Sequence, residues 1–188
     1  MTRIALTTER LMLRFFTATD AGDVARIAGD ARIADTTLRI PHPYPEGAAE
    51  AWIDTHETLR EARVATVFAI TERRGGALVG AVGLEIAEGG REAELGYWIA
   101  PDEWSSGYAT EAAAAMLAHA FSDAFSIERV IARYFLRNPA SGRVLKKIGM
   151  RDVERVTVHK GDREEAAMLR AITADEWRAI DGARSRPS

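Results

Sequence analysis

The stretch Glu92-Ala93-Glu94-Leu95-Gly96-Tyr97-Trp98-Ile99, followed closely by Trp104-Ser105-Ser106-Gly107-Tyr108-Ala109-Thr110-Glu111, decides how the rest of the chain is read. Strand alternation sends Glu92, Glu94, Gly96 and Trp98 to one face, and Ala93, Leu95, Tyr97 and Ile99 to the other. A carboxylate inside such an apolar strand either faces solvent or does chemistry. In the second reading Glu94 is a general base whose pKa is raised by partial burial. The next segment turns from strand into helix. Its glycine and serines let the backbone approach a ligand closely. The helix that follows aims free amides and a positive dipole end at the loop. That geometry binds a pyrophosphate, and it also serves as a plain helix cap. The glycine and lysine spacings match neither a Walker loop nor a dinucleotide fingerprint.

Outward from this centre the periodicity alternates between strand and helix. A helix over residues 107–122 is predicted from Ala109, Ala113, Met116, Leu117 and Ala120. Upstream, residues 64–71 and 77–86 read as strands joined at Gly75-Gly76. A second glycine pair, Gly89-Gly90, leads into the Glu94 strand and completes a meander. Further upstream, Leu11, Leu13 and Phe15 alternate with Met12, Arg14 and Phe16 as a first strand. Asp20 is placed to cap a helix with Val24, Ile27 and Ala28 on its apolar face. Pro41, Pro43 and Pro45 stiffen a loop ahead of a second helix that starts near Glu46 and buries Trp52, Ile53 and Leu59. Downstream come a strand over 127–135 and a short helix opened by Asn138-Pro139, with Asn as N-cap and Pro at the first helical position. Val144, Leu145 and Ile148 form its buried stripe and Gly149 ends it. Strands over 150–159 and 164–172 close the chain around Gly161. The order gives seven strands and about four helices, an α+β or mixed-sheet arrangement. One domain over residues 1–180 is expected, with 181–188 as a disordered tail because it has almost no apolar content.

Composition removes several classes of function. The chain has 188 residues, 47% apolar and 28% charged, with a formal net charge of −3. So weak an acidity offers nucleic acid no overall attraction. There is no cysteine, which excludes disulfides, thiolate metal sites and a covalent cysteine intermediate. His42, His56, His119 and His159 show no metal-ligand spacing, so no metal is expected. The apolar run that opens at Ala112–Ala115 is far short of the ~20 residues of a membrane span. Residues 1–14 lack the apolar block of a signal peptide, and a cytoplasmic protein with no membrane partner is the expectation.

Three segments taken in order, together with the opening Thr8-Glu9-Arg10-Leu11-Met12-Leu13-Arg14, resemble the GNAT superfamily of acyl-CoA-dependent N-acetyltransferases. The likeness is to its RimJ/RimL branch, which acetylates protein N-termini and related amines. The segments are Glu94-Leu95-Gly96-Tyr97-Trp98-Ile99, then Pro101 with Trp104 and Gly107-Tyr108-Ala109-Thr110-Glu111-Ala112, then Asn138-Pro139-Ala140-Ser141. Departures from the wider superfamily are specific. Trp104 stands where a Gln or Arg usually opens the pyrophosphate loop, as in the RimJ/RimL branch. Leu145 stands where many members carry a Tyr seven residues after the Asn. Ser141, three residues after Asn138, matches the branch instead, and Gly149-Met150 replaces a Gly-Phe ending.

The resemblance implies a mixed, mostly antiparallel seven-stranded sheet that splays near residues 94–99 to admit the cofactor. It implies acetyl-CoA or CoA as co-substrate and a primary amine as acceptor. Glu94 would take the amine's proton, directly or through water. Ser141 would hydrogen-bond or protonate the leaving thiolate, and Asn138 would position the pantetheine arm or the sulfur. An amide near Trp98 or Ile99 would meet the developing oxyanion. Trp104, Ser105, Ser106, Gly107, Tyr108, Ala109 and Thr110 would hold the pyrophosphate, with Arg143 reaching the phosphates. His42 and Tyr44 would border the acceptor pocket. For Asn138, capping alone is a sufficient explanation; for Ser141 and Arg143, a solvated side chain is; for the proline-ridged loop, a rigid connector is. A protein N-terminal α-amine fits the branch best, since an amine of pKa about 7.7–8.0 is partly neutral near pH 7.4 while a lysine near 10.4 is about 0.1% neutral. Rival readings are a small-amine acetyltransferase (aminoglycoside, polyamine or amino acid) and a non-catalytic acyl-CoA-binding module. Homodimers are common in proteins of this resemblance.

Overall fold

The computed structural model describes residues 5–122 and 125–184. Alternating burial builds its sheet. Leu11 and Leu13 are fully buried while Met12 between them is exposed, and this pattern makes β2 (Leu11–Arg14) a strand with one face on the core. A two-residue strand, β1 (Leu6–Thr7), pairs outside it. The meander follows as β3 (Ala65–Glu72), β4 (Leu78–Ile86) and β5 (Glu92–Ile99). Then come β6 (Arg129–Phe135) and the hairpin of β7 (Arg151–Lys160) and β8 (Arg163–Thr173). The eight strands lie in the order β1-β2-β3-β4-β5-β6-β8-β7. Every pairing is antiparallel except β5 with β6.

That exception opens the sheet. β5 and β6 pair only at Glu92 with Arg129, Ala93 with Val130 and Glu94 with Ile131. β5 nevertheless stays paired with β4 as far as Ile99, and β6 stays paired with β8 as far as Phe135. Beyond Glu94 each strand therefore follows its antiparallel neighbour, and the two part company. The β6-facing edge of Leu95–Ile99 is left without a strand partner.

Helices cover both faces. On one, α1 (Ala21–Ala28), α2 (Ala31–Thr36) and α3 (Ala48–Glu61) surround a cluster containing Val24, Ile27, Ile53 and Trp98. On the other, α4 (Tyr108–Ala120) and α5 (Pro139–Lys147) pack Met116, Leu117, Leu145 and Ile148 against Leu95 and Ile99, with Trp177 of α6 (Ala174–Arg184) joining them. Burying each such side chain contributes about 1.5–3 kcal/mol. The expected alternation of β5 is thus observed, with Trp98 on the α1–α3 side and Leu95 and Ile99 on the α4–α5 side.

The sheet has one strand more than the seven expected, and there are six helices among the described residues rather than about four. β1 and α2 are too short to carry a period. α6 did have a signal: Thr173 and Glu176 form a capping pair, in which the Glu176 carboxylate accepts from the Thr173 amide at 3.0 Å and the Thr173 hydroxyl accepts from the Glu176 amide at 3.3 Å. α6 runs through residues 181–184, the first half of the expected tail; residues 185–188 lie outside the described residues. Asp20 sits at the N-cap position of α1, yet its buried carboxylate makes no cap bond there. It accepts from Arg14 at 2.7 and 2.8 Å and from the Thr17 amide at 2.8 Å, tying β2 to the first helix.

Candidate active site

The parting of β5 and β6 creates a cleft of about 670 Å³ that passes from one face of the sheet to the other. Glu94 lies at the last paired rung, on the α1–α3 face. Its carboxylate side chain is 26% exposed and accepts from Arg133 Nη1 at 3.0 and 3.3 Å. Directly across on β4 stands Glu85, which is paired with Arg39 from the loop after α2. Two like charges on adjacent strands are therefore each held by an arginine. Burial is the largest influence on Glu94 and raises its pKa. Arg133 and Arg39 pull it down, Glu85 and Glu92 push it up, and the balance lies above the ordinary carboxylate range.

On the opposite face Ser141 sits in the first turn of α5. Its backbone amide donates to Asn138 Oδ1 at 3.3 Å, so Asn138 is the cap of this helix. The Ser141 Oγ lies 2.8 Å from the Tyr97 phenol oxygen. Burial pushes the Tyr97 pKa up to about 12, against the opposing effects of the Ser141 hydrogen bond and of Arg170. Buried Arg170 anchors the start of α5 by donating to the Gly142 carbonyl at 3.0 Å, and pairs with Asp152 at 2.7 Å. Gly142 has no room for a side chain, since a Cβ there would lie 2.7 Å from the Tyr134 ring. The helix can approach β6 this closely only with glycine at that position.

The loop before α4 is tied down at several points. Trp104 Nε1 donates to the Ile99 carbonyl at 2.7 Å, although the indole remains 43% exposed. Ser106 Oγ donates to the Glu103 carbonyl at 2.6 Å. Ser105 and Gly107 both take positive φ, 68° and 89°. Arg10 reaches in from the β1–β2 turn, donating to the Ser106 carbonyl at 2.8 Å and to Glu111 at 2.7 Å. Tyr108 donates to Glu72 at 2.8 Å. The backbone amides of Ser105, Gly107, Ala109 and Thr110 have no acceptor among the described residues. These free donors at the start of a helix fit an anion.

The α1–α3 side of the cleft is aromatic. Trp52 lies between Trp98, with ring centres 6.5 Å apart, and His56, at 4.4 Å. Phe16 closes on both Trp52 and His56. Both His56 ring nitrogens are buried without a partner, and burial lowers the pKa to about 4. Tyr44 lines the same space half-buried.

Of the residues singled out in the sequence, Glu94, Trp98, Ser141 and Tyr44 line the one cleft. Asn138 stands behind Ser141. Trp104 to Thr110 gather past the far end of β5, where Trp104 grips Ile99. Exposed His42 and exposed Arg143 lie outside the cleft lining. Sequence reading did not single out Tyr97, Arg133, Arg39, Trp52 or His56 as site residues. For Tyr97 the alternation did assign the correct face, but nothing local connects it to a serine 44 positions later.

Residues 10–151 match the family model described as an acetyltransferase (GNAT) domain. The N-acetyltransferase YoaA of Bacillus subtilis (strain 168), itself uncharacterized, is 30% identical over 145 residues, covering 77% of this chain and 81% of the relative. Among solved structures, Mycobacterium smegmatis RimJ in complex with a CoA disulfide superposes with a TM-score of 0.78 at 23% identity, over 93% of this chain and 90% of that one. RimL, a ribosomal L7/L12 α-N-protein acetyltransferase in complex with coenzyme A, does so with a TM-score of 0.82 at 13% identity, over 92% of this chain and 99% of that one. The chain belongs to the GNAT family of acetyltransferases, and its fold is that of RimJ and RimL.

Proposed function

We propose that this N-acetyltransferase moves an acetyl group from acetyl-CoA to a protein N-terminal α-amine, by direct attack with Glu94 as the base. The observation that carries this is the single cleft lined by Glu94 from one face of the sheet and by Ser141 from the other. An acyl donor lying along the unpaired edge of β5 would add to it like a strand, with the amides of Ser105, Gly107, Ala109 and Thr110 and the Arg143 side chain at its phosphate end. Asn138 would orient the donor arm beside Ser141, and an amide near Trp98 or Ile99 would meet the developing oxyanion. The acceptor would come from the α1–α3 side, past Tyr44, with His42 at its border.

The chemistry of the acceptor favours an α-amine. Burial raises the Glu94 pKa and Arg133 at 3.0 Å opposes the rise. An α-amine of pKa about 7.7–8.0 is already partly neutral near pH 7.4, so it asks less of a base than a lysine near 10.4 does. Among the structural neighbours RimL, a ribosomal L7/L12 α-N-protein acetyltransferase, supports a ribosomal protein as the source of that amine.

The test is thiol release from acetyl-CoA with a matched panel: a peptide with a free N-terminus, the same peptide N-blocked but carrying an internal lysine, spermidine, an aminoglycoside and free amino acids. Turnover with the free N-terminus and little with the blocked peptide is expected. Turnover confined to a small amine, or to the lysine, would overturn the α-amine assignment.

A further inference from the structure

We propose that Tyr97 is a positioning residue that holds the Ser141 hydroxyl toward the leaving sulfur, through the 2.8 Å hydrogen bond between their side-chain oxygens. The inference rests on the reading of Ser141 as the group that meets the thiolate.

The geometry is a closed pair. Tyr97 projects from β5 on the α4–α5 face, beyond the last rung shared with β6. Among the described residues its phenol oxygen hydrogen-bonds Ser141 alone, at 2.8 Å from Oγ and, more weakly, at 3.4 Å from the Ser141 carbonyl. Ser141 Oγ in turn has no other hydrogen-bond partner among the described residues. In the proposed arrangement the phenol, the stronger acid of the two, donates and the serine oxygen accepts. The serine proton is then left over and directed into the cleft that both residues line.

Without that bond a serine in the first turn of a helix has an alternative. It rotates to another rotamer and bonds solvent. Tyr97 removes that alternative by fixing Oγ on the β5 side. Burial also keeps the phenol protonated, and so a donor, throughout the neutral range. Paired hydroxyls strengthen one another in a low-dielectric site, which makes the outer proton a better donor than that of an isolated serine.

The transfer balances without moving either hydroxyl proton. The nitrogen–carbon bond forms and the carbon–sulfur bond breaks, with its electron pair staying on sulfur. The proton of the attacking amine goes to Glu94 and then to water. The sulfur leaves as thiolate, hydrogen-bonded by Ser141, and takes its proton from solvent.

A double-mutant cycle tests this, with kcat and the KM for acetyl-CoA measured at saturating acceptor and each variant's melting temperature as a check on folding. Tyr97→Phe keeps the ring and removes the hydroxyl. It should lower kcat about 3- to 10-fold and leave the KM for acetyl-CoA within about twofold. Ser141→Ala should lower kcat by about tenfold or more, and the double variant should be no slower than Ser141→Ala alone. Tyr97→Phe at wild-type kcat would overturn the inference. So would losses that multiply in the double variant, as a packing role independent of Ser141 requires. If Ser141→Ala itself runs at the wild-type rate, the reading of Ser141 fails and this inference fails with it. A slow Ser141→Ala beside a wild-type Tyr97→Phe sinks only the role of Tyr97.

Discussion

The two faces of the opened sheet are built differently. On the α4–α5 face the polar side chains are tied to one another or to the backbone, Tyr97 with Ser141, Ser141 with Asn138, Arg170 with Gly142 and Trp104 with Ile99, while the loop amides before α4 stay free. On the α1–α3 face two carboxylates stand side by side, each held by an arginine, and a buried imidazole has no hydrogen-bond partner among the described residues. In the proposed reaction the first face holds the acyl donor, with fixed side chains and free loop amides for its phosphates. The second face would receive the amine, beside the paired carboxylates. The lesson is that a splayed sheet allows the two tasks to be separated by a single strand, with alternate residues of β5 serving opposite sides.

Glu94→Gln probes that separation most severely. It should lower kcat by about 100-fold while CoA affinity, measured by calorimetry, stays within about twofold. The pH profile sharpens the test. A base must be ionised, so wild-type kcat/KM rises with pH through the Glu94 ionisation, which burial places above the ordinary carboxylate range. In the Gln variant that rise should be absent. A large loss of CoA affinity would mean that the faces are coupled after all.

Gly107→Ala tests the other face. Gly107 has φ of 89°, and a Cβ there would lie 3.2 Å from Arg10 Nη2. Side chains rarely adopt this backbone conformation, at a cost of about 1–2 kcal/mol, and the loop amides should turn away in relieving it. CoA affinity is expected to fall about tenfold with the acceptor KM unchanged. Equal weakening of both would erase the distinction between the two sides.

The smallest effect concerns His56. Its folded pKa of about 4 lies below its unfolded value of about 6.5. Stability is therefore full above pH 6.5 and is lost as pH falls toward 4, because only the unfolded chain takes the proton readily. His56→Leu should flatten this part of the melting-temperature profile by a few degrees while leaving stability near pH 7.5 little changed. An unchanged slope would show that the imidazole is hydrated in the folded protein and that the α1–α3 face is less dry than its packing suggests.

The two faces were also unequally legible in the sequence. Residues 104–110, and likewise Asn138 with Ser141, are contiguous or one helical turn apart. A cap, a glycine with a strand before it and a helix after it is a local pattern, and local patterns survive in a linear reading. The α1–α3 face draws on Phe16, Arg39, Trp52, His56, Glu85, Glu94 and Arg133, from six elements or loops. Each looks ordinary alone: Trp52 as a core residue of its helix, Glu85 as a solvent-facing residue of its strand, Arg133 as an alternation break. Glu94 was found because a carboxylate in an apolar strand is conspicuous without knowledge of its neighbours. Tyr97 was not, because an aromatic residue in a strand normally packs and nothing more.

What the chain determined by itself is most of the elements and the inward face of each, since these follow from periods of 2 and 3.6 and from caps that act within a few residues. It also placed Glu94 and Trp98 on one side of β5 and Tyr97 on the other, because alternation leaves a strand no choice. The splay near residues 94–99 was implied by the family resemblance, but only the tertiary structure showed the last shared rung at Glu94 and which charges and hydroxyls face one another: Arg133 on Glu94, Arg39 on Glu85, Tyr97 on Ser141. The reason is physical. Hydrogen-bond register along β4 and β8 holds the two strands to different neighbours, and that competition between distant pairings leaves no trace in any local stretch of sequence.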